Sequence, residues 1–324
     1  MGQRSPIMAE QKQDKASQSP LISVIMPVYN AQAYVKEAVF SILEQSFTDF
    51  EVIIVDDGST DASGRILADI ARQDSRIHLY SRTNHGLISS LNFALDKARG
   101  QYLARMDADD VSTPQRLQQQ LQFLQQHPDI AVLGTGYVYI DQHGHRLGKR
   151  HTCMYHDDIV ASFFFGNPIA HPSVMVNRRL LRQPLNYEAD YIGAEDFQLW
   201  LRLSQQVRFA NLPEPLLYYR LSGQSHSDHL QQVQRDSAIR AISKFTFLKL
   251  SPDPESLAQA LFNSAGAWRD YPQFLFACIK LNLFNIKASG VSAWALLKRT
   301  LIAQRSYFRR RLRASTMTEE RRIE

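Results

Sequence analysis

The chain has 324 residues, of which 44% are hydrophobic and 21% charged, and it carries a net charge of +5. That balance fits a soluble globular protein of one large domain or two ordinary ones, and it excludes a disordered or fibrous chain. The two cysteines, Cys153 and Cys278, are far apart; this excludes a disulfide framework and a cysteine metal site, and makes a reducing cytoplasm the expected setting.

Residues 1–20 are polar and rich in Gln, Ser and Lys, so they predict a disordered segment without a secretory leader. From Leu21 the pattern alternates. Leu21–Met26 predicts a buried strand stopped by Pro27, and Ala31–Gln45 predicts a helix with Tyr34, Ala38, Ile42 and Gln45 along one side. Val52–Val55 is a second strand, and Asp61 is placed to cap a helix ending near Arg72. Ile77–Tyr80, the helix Leu87–Ala98 with Gly100 past its end, and the strand Tyr102–Met106 follow. Thr113-Pro114 opens a further helix running to His127. Short connections between alternating strands and helices mean an α/β fold with a mostly parallel, Rossmann-like sheet.

The pattern changes after Ile130. Val132–Ile140 and a partner near Arg146 flank the turn-like Asp141–Gly144, and Asp157–Phe165 is a short helix. His171–Val176 predicts a strand, Glu195–Ser204 a helix, and Val207–Ala210 and Leu216–Tyr219 two short strands. From about His229 the chain reads as helical to about Arg313. The expected division is therefore a disordered 1–20, an α/β unit over 21–228 and a helical C-terminal region over 229–324 with a basic tail.

Two acidic clusters fall where hydrophobic strands end. Val52–Val55 runs into Asp56-Asp57-Gly58-Ser59, and Tyr102–Met106 runs into Asp107-Ala-Asp109-Asp110. In an open α/β sheet, ligands bind beyond the carboxyl ends of the strands. Carboxylates there repel a phosphate unless a divalent cation lies between them, so the pattern points to a metal-assisted nucleoside-diphosphate site using Mg2+ or Mn2+. Turn chemistry is the competing account, because Asp, Gly and Ser also suit ordinary strand-to-helix turns. Tyr29, in Pro27-Val28-Tyr29, can stack on a base. Arg82 and the Asn84-His85-Gly86 loop can touch a diphosphate. Glu195-Asp196 is either a dipole-favoured first helical turn or a general base, and the residues alone leave both open. A lone His such as His171 is more often structural. There is no phosphate loop of the Gly-x-x-x-x-Gly-Lys type, no Gly-x-Gly-x-x-Gly after a strand and no Gly-x-Ser-x-Gly.

Ser23–Asn30, Val55–Asp61, Asn84–Leu87, Ala104–Asp110 and Ala194–Trp200, taken in order, resemble the family 2 glycosyltransferases, inverting enzymes with the type A glycosyltransferase fold. The resemblance spans about residues 21–222. It implies a base-binding Asp57 with Asp56 beside it, and a nucleotide-side segment Pro27, Val28 and Tyr29. It also implies a ribose-side Asp107, a metal ligand Asp109 and a catalytic base Asp196 with Glu195 adjacent. His171 matches an acceptor-side histidine. Arg220, in Tyr218-Tyr219-Arg220, matches a Tyr-Arg pair before a phosphate-side loop; relatives often carry His two residues later, where this chain has Ser222 and its nearest His is His226.

The resemblance implies transfer of a sugar from a nucleotide-sugar donor, UDP-linked by expectation, to a saccharide or lipid-linked acceptor in polysaccharide or glycolipid assembly. Lys298–Arg313 holds Lys298, Arg299, Arg305, Arg309, Arg310, Arg311 and Arg313 without an acid, so peripheral membrane contact through this basic helix is also expected. A non-catalytic nucleotide-sugar, membrane or nucleic-acid interaction module is the alternative. Scattered aromatics without a nucleic-acid motif argue against a nucleic-acid partner.

Overall fold

A computed structural model describes residues 19–150, 152–221, 231–245, 251–262, 271–288 and 291–306. The expectations for residues 1–18, for Ser222 and His226, and for Tyr307 to Arg313 lie outside the described residues. The first half reads β1 (Ile22–Val28), α1 (Val35–Leu43), β2 (Phe50–Asp56), α2 (Ser63–Ala71), β3 (Ile77–Ser81), α3 (Leu87–Lys97), β4 (Tyr102–Arg105), β5 (Val111–Ser112) and α4 (Arg116–Gln126). The second half reads β6 (Ile130–Ile140), β7 (Arg146–Arg150), α5 (His156–Ser162), β8 (Met175–Asn177), α6 (Glu195–Leu203) and β9 (Arg208–Arg220). Helices α7 (Gln231–Ser243), α8 (Pro254–Phe262) and α9 (Tyr271–Ala288) follow, with a last helix α10 over 293–306.

One sheet runs β3-β2-β1-β4-β8-β6-β9-β5, with β7 on β6. Strands β1 to β4 are mutually parallel, and they are the part that the alternating sequence predicts. Beyond β4 the sheet is mixed: β8 is antiparallel to both β4 and β6, whereas β6 and β9 run parallel. Alternate residues of each buried strand face opposite layers. Val24, Met26, Val52 and Ile54 pack under α1, α2 and α4 through Val39, Ile42, Leu67 and Leu121. Ile25, Ile53 and Val55 face the other layer, built on Leu91, Phe163, Phe164 and Trp200. Ile242 of α7, Leu261 of α8, Leu281 of α9 and Leu296 of α10 belong to that same core, so the C-terminal helices close one face of the catalytic sheet.

Several elements differ from expectation for local reasons. β1 runs through Pro27 to Val28. Ile25 O accepts from Met106 N on the β4 side and Val28 O accepts from Asp57 N on the β2 side, so Pro27 faces the β4 side. The β4 ladder has ended by then, at Ile25 opposite Arg105, and the missing N–H costs no pairing. Gly100 is required by closeness to β1, since a Cβ there would lie 2.6 Å from Ser23 N. Asp61 lies two residues before α2 and accepts from Ser63 N at 2.9 Å and from Gln32 N at 3.0 Å, tying two loops together. Helix α4 starts at Arg116, two residues later than Thr113-Pro114 suggests, and Thr113 contributes its carbonyl to Arg116 N. His171–Ser173 is a 3-10 turn around Pro172, and the strand begins only at Met175. The two short strands after Val207 are one, β9, with a register shift at Pro213–Pro215.

Candidate active site

The parallel register sets the site. Val28 pairs with Asp56 and Asp56 with Ser81, while Ile25 pairs with Arg105, so the carboxyl ends of four strands form one rim. Pro27 and Val28 are buried beneath it, and Tyr29 is 52% exposed on its edge. Asn30, at φ 49°, takes Thr60 N at 2.8 Å and gives its own N–H to Ser59 Oγ at 3.0 Å, which locks the loop after β1 to the loop after β2. Buried Asp56 accepts from Ser59 N at 3.1 Å and shapes that same turn.

Asp57 is buried and engaged. It accepts from Arg82 Nε at 2.9 Å, His85 N at 3.1 Å and Gly86 N at 2.8 Å. Arg82 in turn donates to Ser89 and Ser90 Oγ at 3.1 and 2.8 Å. The guanidinium foreseen for a diphosphate is therefore held at Asp57 and the start of α3. Asn84 sits in the same loop and caps Gly86 N at 3.2 Å. Gly58, at φ +76°, has no room for a Cβ, which would fall 2.7 Å from Asn84 N. Only glycine makes that turn without strain.

The second acidic cluster is tighter than the sequence suggests. β4 ends at Arg105, and Asp107–Asp110 form a turn rather than an extended segment. One oxygen each from Asp107, Asp109 and Asp110 lie within 4.8 Å of one another. Asp110 thereby joins Asp107 and Asp109, the two acids that the resemblance singles out. Its Oδ1 accepts from Arg220 N at 2.8 Å, and its buried Oδ2 has no partner. Burial and then the charge of Asp107 push Asp109 up to about 6, and the same two causes raise Asp110 well above the usual carboxylate range. Three converging hard oxygen donors, one of them an orphaned buried acceptor, suit a divalent cation such as Mg2+ or Mn2+.

Arg105, which the sequence does not single out, holds this cluster together. It is buried and pairs with Asp107. Burial opposes its charge, and Asp107, together with Tyr187 and Asp110, more than offsets that. Its field also reaches Asp109, Asp110, Glu195 and Asp196. The acids of the β4 turn and those of α6, far apart in sequence, thus share one electrostatic neighbourhood.

Glu195 and Asp196 open α6. Asp196 accepts from Asn167 Nδ2 at 2.8 Å and from Phe197 N at 2.7 Å. Burial and the charge of Glu195 push its carboxyl up to about 7. Glu195 is also raised, chiefly by burial. Both signs suit a proton acceptor working near neutrality. His171 is a buried ring between Tyr187, whose hydroxyl lies 2.8 Å from its Nε2, and Trp200. Burial and Arg105 hold it well below the usual histidine range. It is neutral and walled in rather than open to an acceptor.

Arg220 is buried too. Its Nε donates to Asp109 O at 2.7 Å, and its Nη2 pairs with Glu37 at 2.7 Å. Its Nη1 reaches Asp141 O at 3.2 Å, and the ring of Tyr34 lies under it. The foreseen phosphate contact is spent on protein, and Arg220 braces the acidic turn against α1.

Residues 23–183 match the family model described as glycosyl transferase family 2. The chain is 33% identical over 229 residues to an uncharacterized glycosyltransferase of Haemophilus influenzae, covering 68% of this chain and 71% of that protein. It is 34% identical over 215 residues to the O-antigen biosynthesis glycosyltransferase WbnJ of Escherichia coli, covering 63% of this chain and 81% of WbnJ. Among solved structures, S. aureus TarS 1-349 in complex with UDP-GlcNAc superposes with a TM-score of 0.57 at 20% identity, covering 89% of this chain and 88% of that one. The mannosyltransferase PcManGT of Pyrobaculum calidifontis, in complex with GDP-Man and Mn2+, gives 0.56 at 20% identity, covering 92% and 84%. The fold is that of the type A glycosyltransferases, and the chain belongs to glycosyl transferase family 2.

Proposed function

We propose that this enzyme inverts an anomeric centre, moving a sugar from a nucleoside diphosphate, UDP by preference, to an acceptor hydroxyl in the assembly of a surface polysaccharide or glycolipid. The observation that carries it is the convergence of Asp107, Asp109 and Asp110 at the end of β4, within the field of the same buried arginine as Asp196. Asp109, with Asp107 and Asp110, would hold Mg2+ or Mn2+. When bound, the cation supplies charge neutralisation for the departing diphosphate. Asp57, Asp56, Tyr29, Arg82 and Asn84 form the nucleotide rim. Asp196 accepts the proton of the acceptor hydroxyl as the new bond to the anomeric carbon forms and the bond to the diphosphate breaks. One displacement needs no covalent enzyme intermediate. The relatives include the O-antigen biosynthesis glycosyltransferase WbnJ and the "Putative teichuronic acid biosynthesis glycosyltransferase TuaG" of Bacillus subtilis, which supports the polysaccharide reading.

We assign the catalytic work to 21–228 and place the enzyme at the cytoplasmic face of a membrane, touching it through the C-terminal helices. No helix among the described residues is long and apolar enough to cross a membrane. In the described part of the basic run, Lys298 pairs with Asp158 at 2.8 Å and Arg299 is largely buried. What α10 exposes is Trp294 (75%), Leu297 and Leu301, and α9 exposes Phe276, Ile279 and Leu283. Two apolar stripes beside basic residues suit an anionic lipid surface. Trp294→Glu with Leu301→Glu should abolish binding to anionic liposomes; unchanged binding removes the membrane proposal. Truncation near residue 290 is a poorer test, because it strips Ala295 and Leu296 from the core.

Calorimetry with UDP and Mn2+ tests the catalytic reading. Binding should depend on the metal and be lost in Asp109→Ala. Asp196→Ala should keep that binding and lose transfer. A non-catalytic module would bind the nucleotide and transfer nothing even when screened against a full panel of nucleotide sugars and acceptors.

A further inference from the structure

Next to Asp196 lies a cavity of about 280 Å³. Its wall comes from β6 and β7 through Tyr137 and Arg150, from the segment 165–170, and from α10 through Arg299. Asn167 stands in that wall, and its amide donates to Asp196 at 2.8 Å. The cavity therefore begins one hydrogen bond from the proposed base. Its volume is at the low end of small-molecule sites, which run from about 300 to 1,000 Å³, and it suits a single sugar unit.

The charge of the wall is one-sided. Among the described residues it holds two arginines and no acid. Arg150 is exposed at the end of β7. The Arg299 side chain is 18% exposed, and its buried Nε has no hydrogen-bond partner among the described residues. Its nearest carboxylate, Asp158, is 3.7 Å away and already accepts from Lys298 at 2.8 Å. One carboxylate thus answers two cations. Thr152 Oγ1, also in the wall, is buried without a partner. Buried donors left open are costly until something completes them. A guanidinium fork matches an oxyanion better than a neutral hydroxyl.

We propose that this cavity receives the acceptor, and that the acceptor carries an oxyanion, a phosphate or a sugar carboxylate, gripped by Arg150 and Arg299. The inference rests on Asp196 as base, because that makes a neighbouring cavity an acceptor site. It gives α10 a part in acceptor choice that the strand-end motifs do not supply. The anion anchors one end of the sugar, and a hydroxyl at the other end reaches Asp196.

The test is calorimetry on the full chain saturated with UDP and Mn2+, using methyl glucoside, glucose 6-phosphate and methyl glucuronide as probes. At least one anion should bind about tenfold tighter than the neutral glucoside, and Arg299→Gln and Arg150→Gln should each remove about that factor. UDP affinity should stay unchanged, and Arg305→Gln, exposed on α10 and outside the wall, should bind the anion normally. The preferred anion tells phosphate from carboxylate. Arg150 lies on an exposed strand, so its variant decides the matter if Arg299→Gln does not fold. Equal binding of the neutral probe, no binding of either anion, or unchanged anion binding in the folded arginine variants overturns the proposal. Asp196→Asn should still bind the anion while losing transfer. If it transfers normally, the base assignment fails on its own, and the calorimetry still judges the cavity.

Discussion

Replacing Asp196 by asparagine keeps the side-chain shape and removes the charge. The Asp196 carboxyl stands at about 7 in place of its ordinary 3.8, because burial and Glu195 both disfavour the anion. At about 1.4 kcal/mol per pH unit, full desolvation corresponds to roughly 4 kcal/mol of destabilisation at high pH. The carboxylate is half-buried rather than sealed, so solvent screening brings the expectation down to about 1–2 kcal/mol. The sign follows from proton binding. Between about 4 and 7 the folded chain holds a proton here that the unfolded chain has released, so this group's stabilising contribution is full below 3.8 and is lost as pH rises through 7. Asn does not titrate. Asp196→Asn should therefore be more stable than the parent at pH 8 and show no such advantage at pH 4, read as paired urea melts. Transfer should vanish in the variant, and parent activity should climb with pH through an apparent pKa near 7. A stability difference that does not change between pH 4 and pH 8, or a variant that transfers at the parent rate, refutes the reasoning.

Arg105→Met should cost about 3–5 kcal/mol at pH 8, because it leaves Asp107 and its neighbours uncompensated in a buried site. The loss should shrink at pH 4, where the raised carboxyls of Asp109 and Asp110 hold protons, and urea melts at the two pH values check it. Gly58→Ala should cost at least about 1–2 kcal/mol through its positive φ alone, with the clash at Asn84 N adding to this; the urea midpoint reads it. Asp109→Asn should melt higher than the parent without ligand, since it relieves the crowding of three carboxylates, and should lose the extra stabilisation that UDP with Mn2+ gives the parent. Thermal melts with and without the ligand pair separate the two effects.

The parallel half of the sheet was legible because its strands are buried on both faces. Val24–Met26 and Val52–Val55 must be apolar throughout, and such runs between helices leave few alternatives. Asp57 and Asp109 were legible for a related reason: an acid straight after a buried strand stands at the sheet's carboxyl edge. What stayed hidden depends on distant pairing. An arginine at position 105 reads as surface, and its burial shows only once the acids of the β4 turn and α6 meet around it. Pro213 and Pro215 read as a break between strands. The chain bridges them because β6 offers Gly136, where a Cβ would lie 2.8 Å from Pro213 O, and the distorted backbone passes closely there. His171 and Arg220 sit in recognisable motifs, but motifs do not say whether a side chain faces a ligand or a neighbour. Both are spent on protein contacts.

The acidic turn differs from an ordinary structural ion network in how poorly it is neutralised. In a structural network each carboxylate meets a donor, and each cation meets an acid. Here Asp110 keeps a buried oxygen without a partner, and Asp107, Asp109 and Asp110 crowd one another. Fully buried Arg116 finds only the Gln120 amide, the Met106 sulfur and the Arg105 carbonyl, and burial brings it down to about 9. The Arg220 guanidinium spends its charge on Glu37 and otherwise donates to backbone carbonyls. Rearranging these side chains into closed pairs would be simple chemistry, and the fold instead braces them apart through Arg105 O, Asp109 O and Asp141 O. Strain of this kind persists where the surrounding structure over-determines it, and it clusters where a ligand completes the charge balance. On the proposed reading, a divalent cation with a diphosphate would bring two positive charges to these carboxylates.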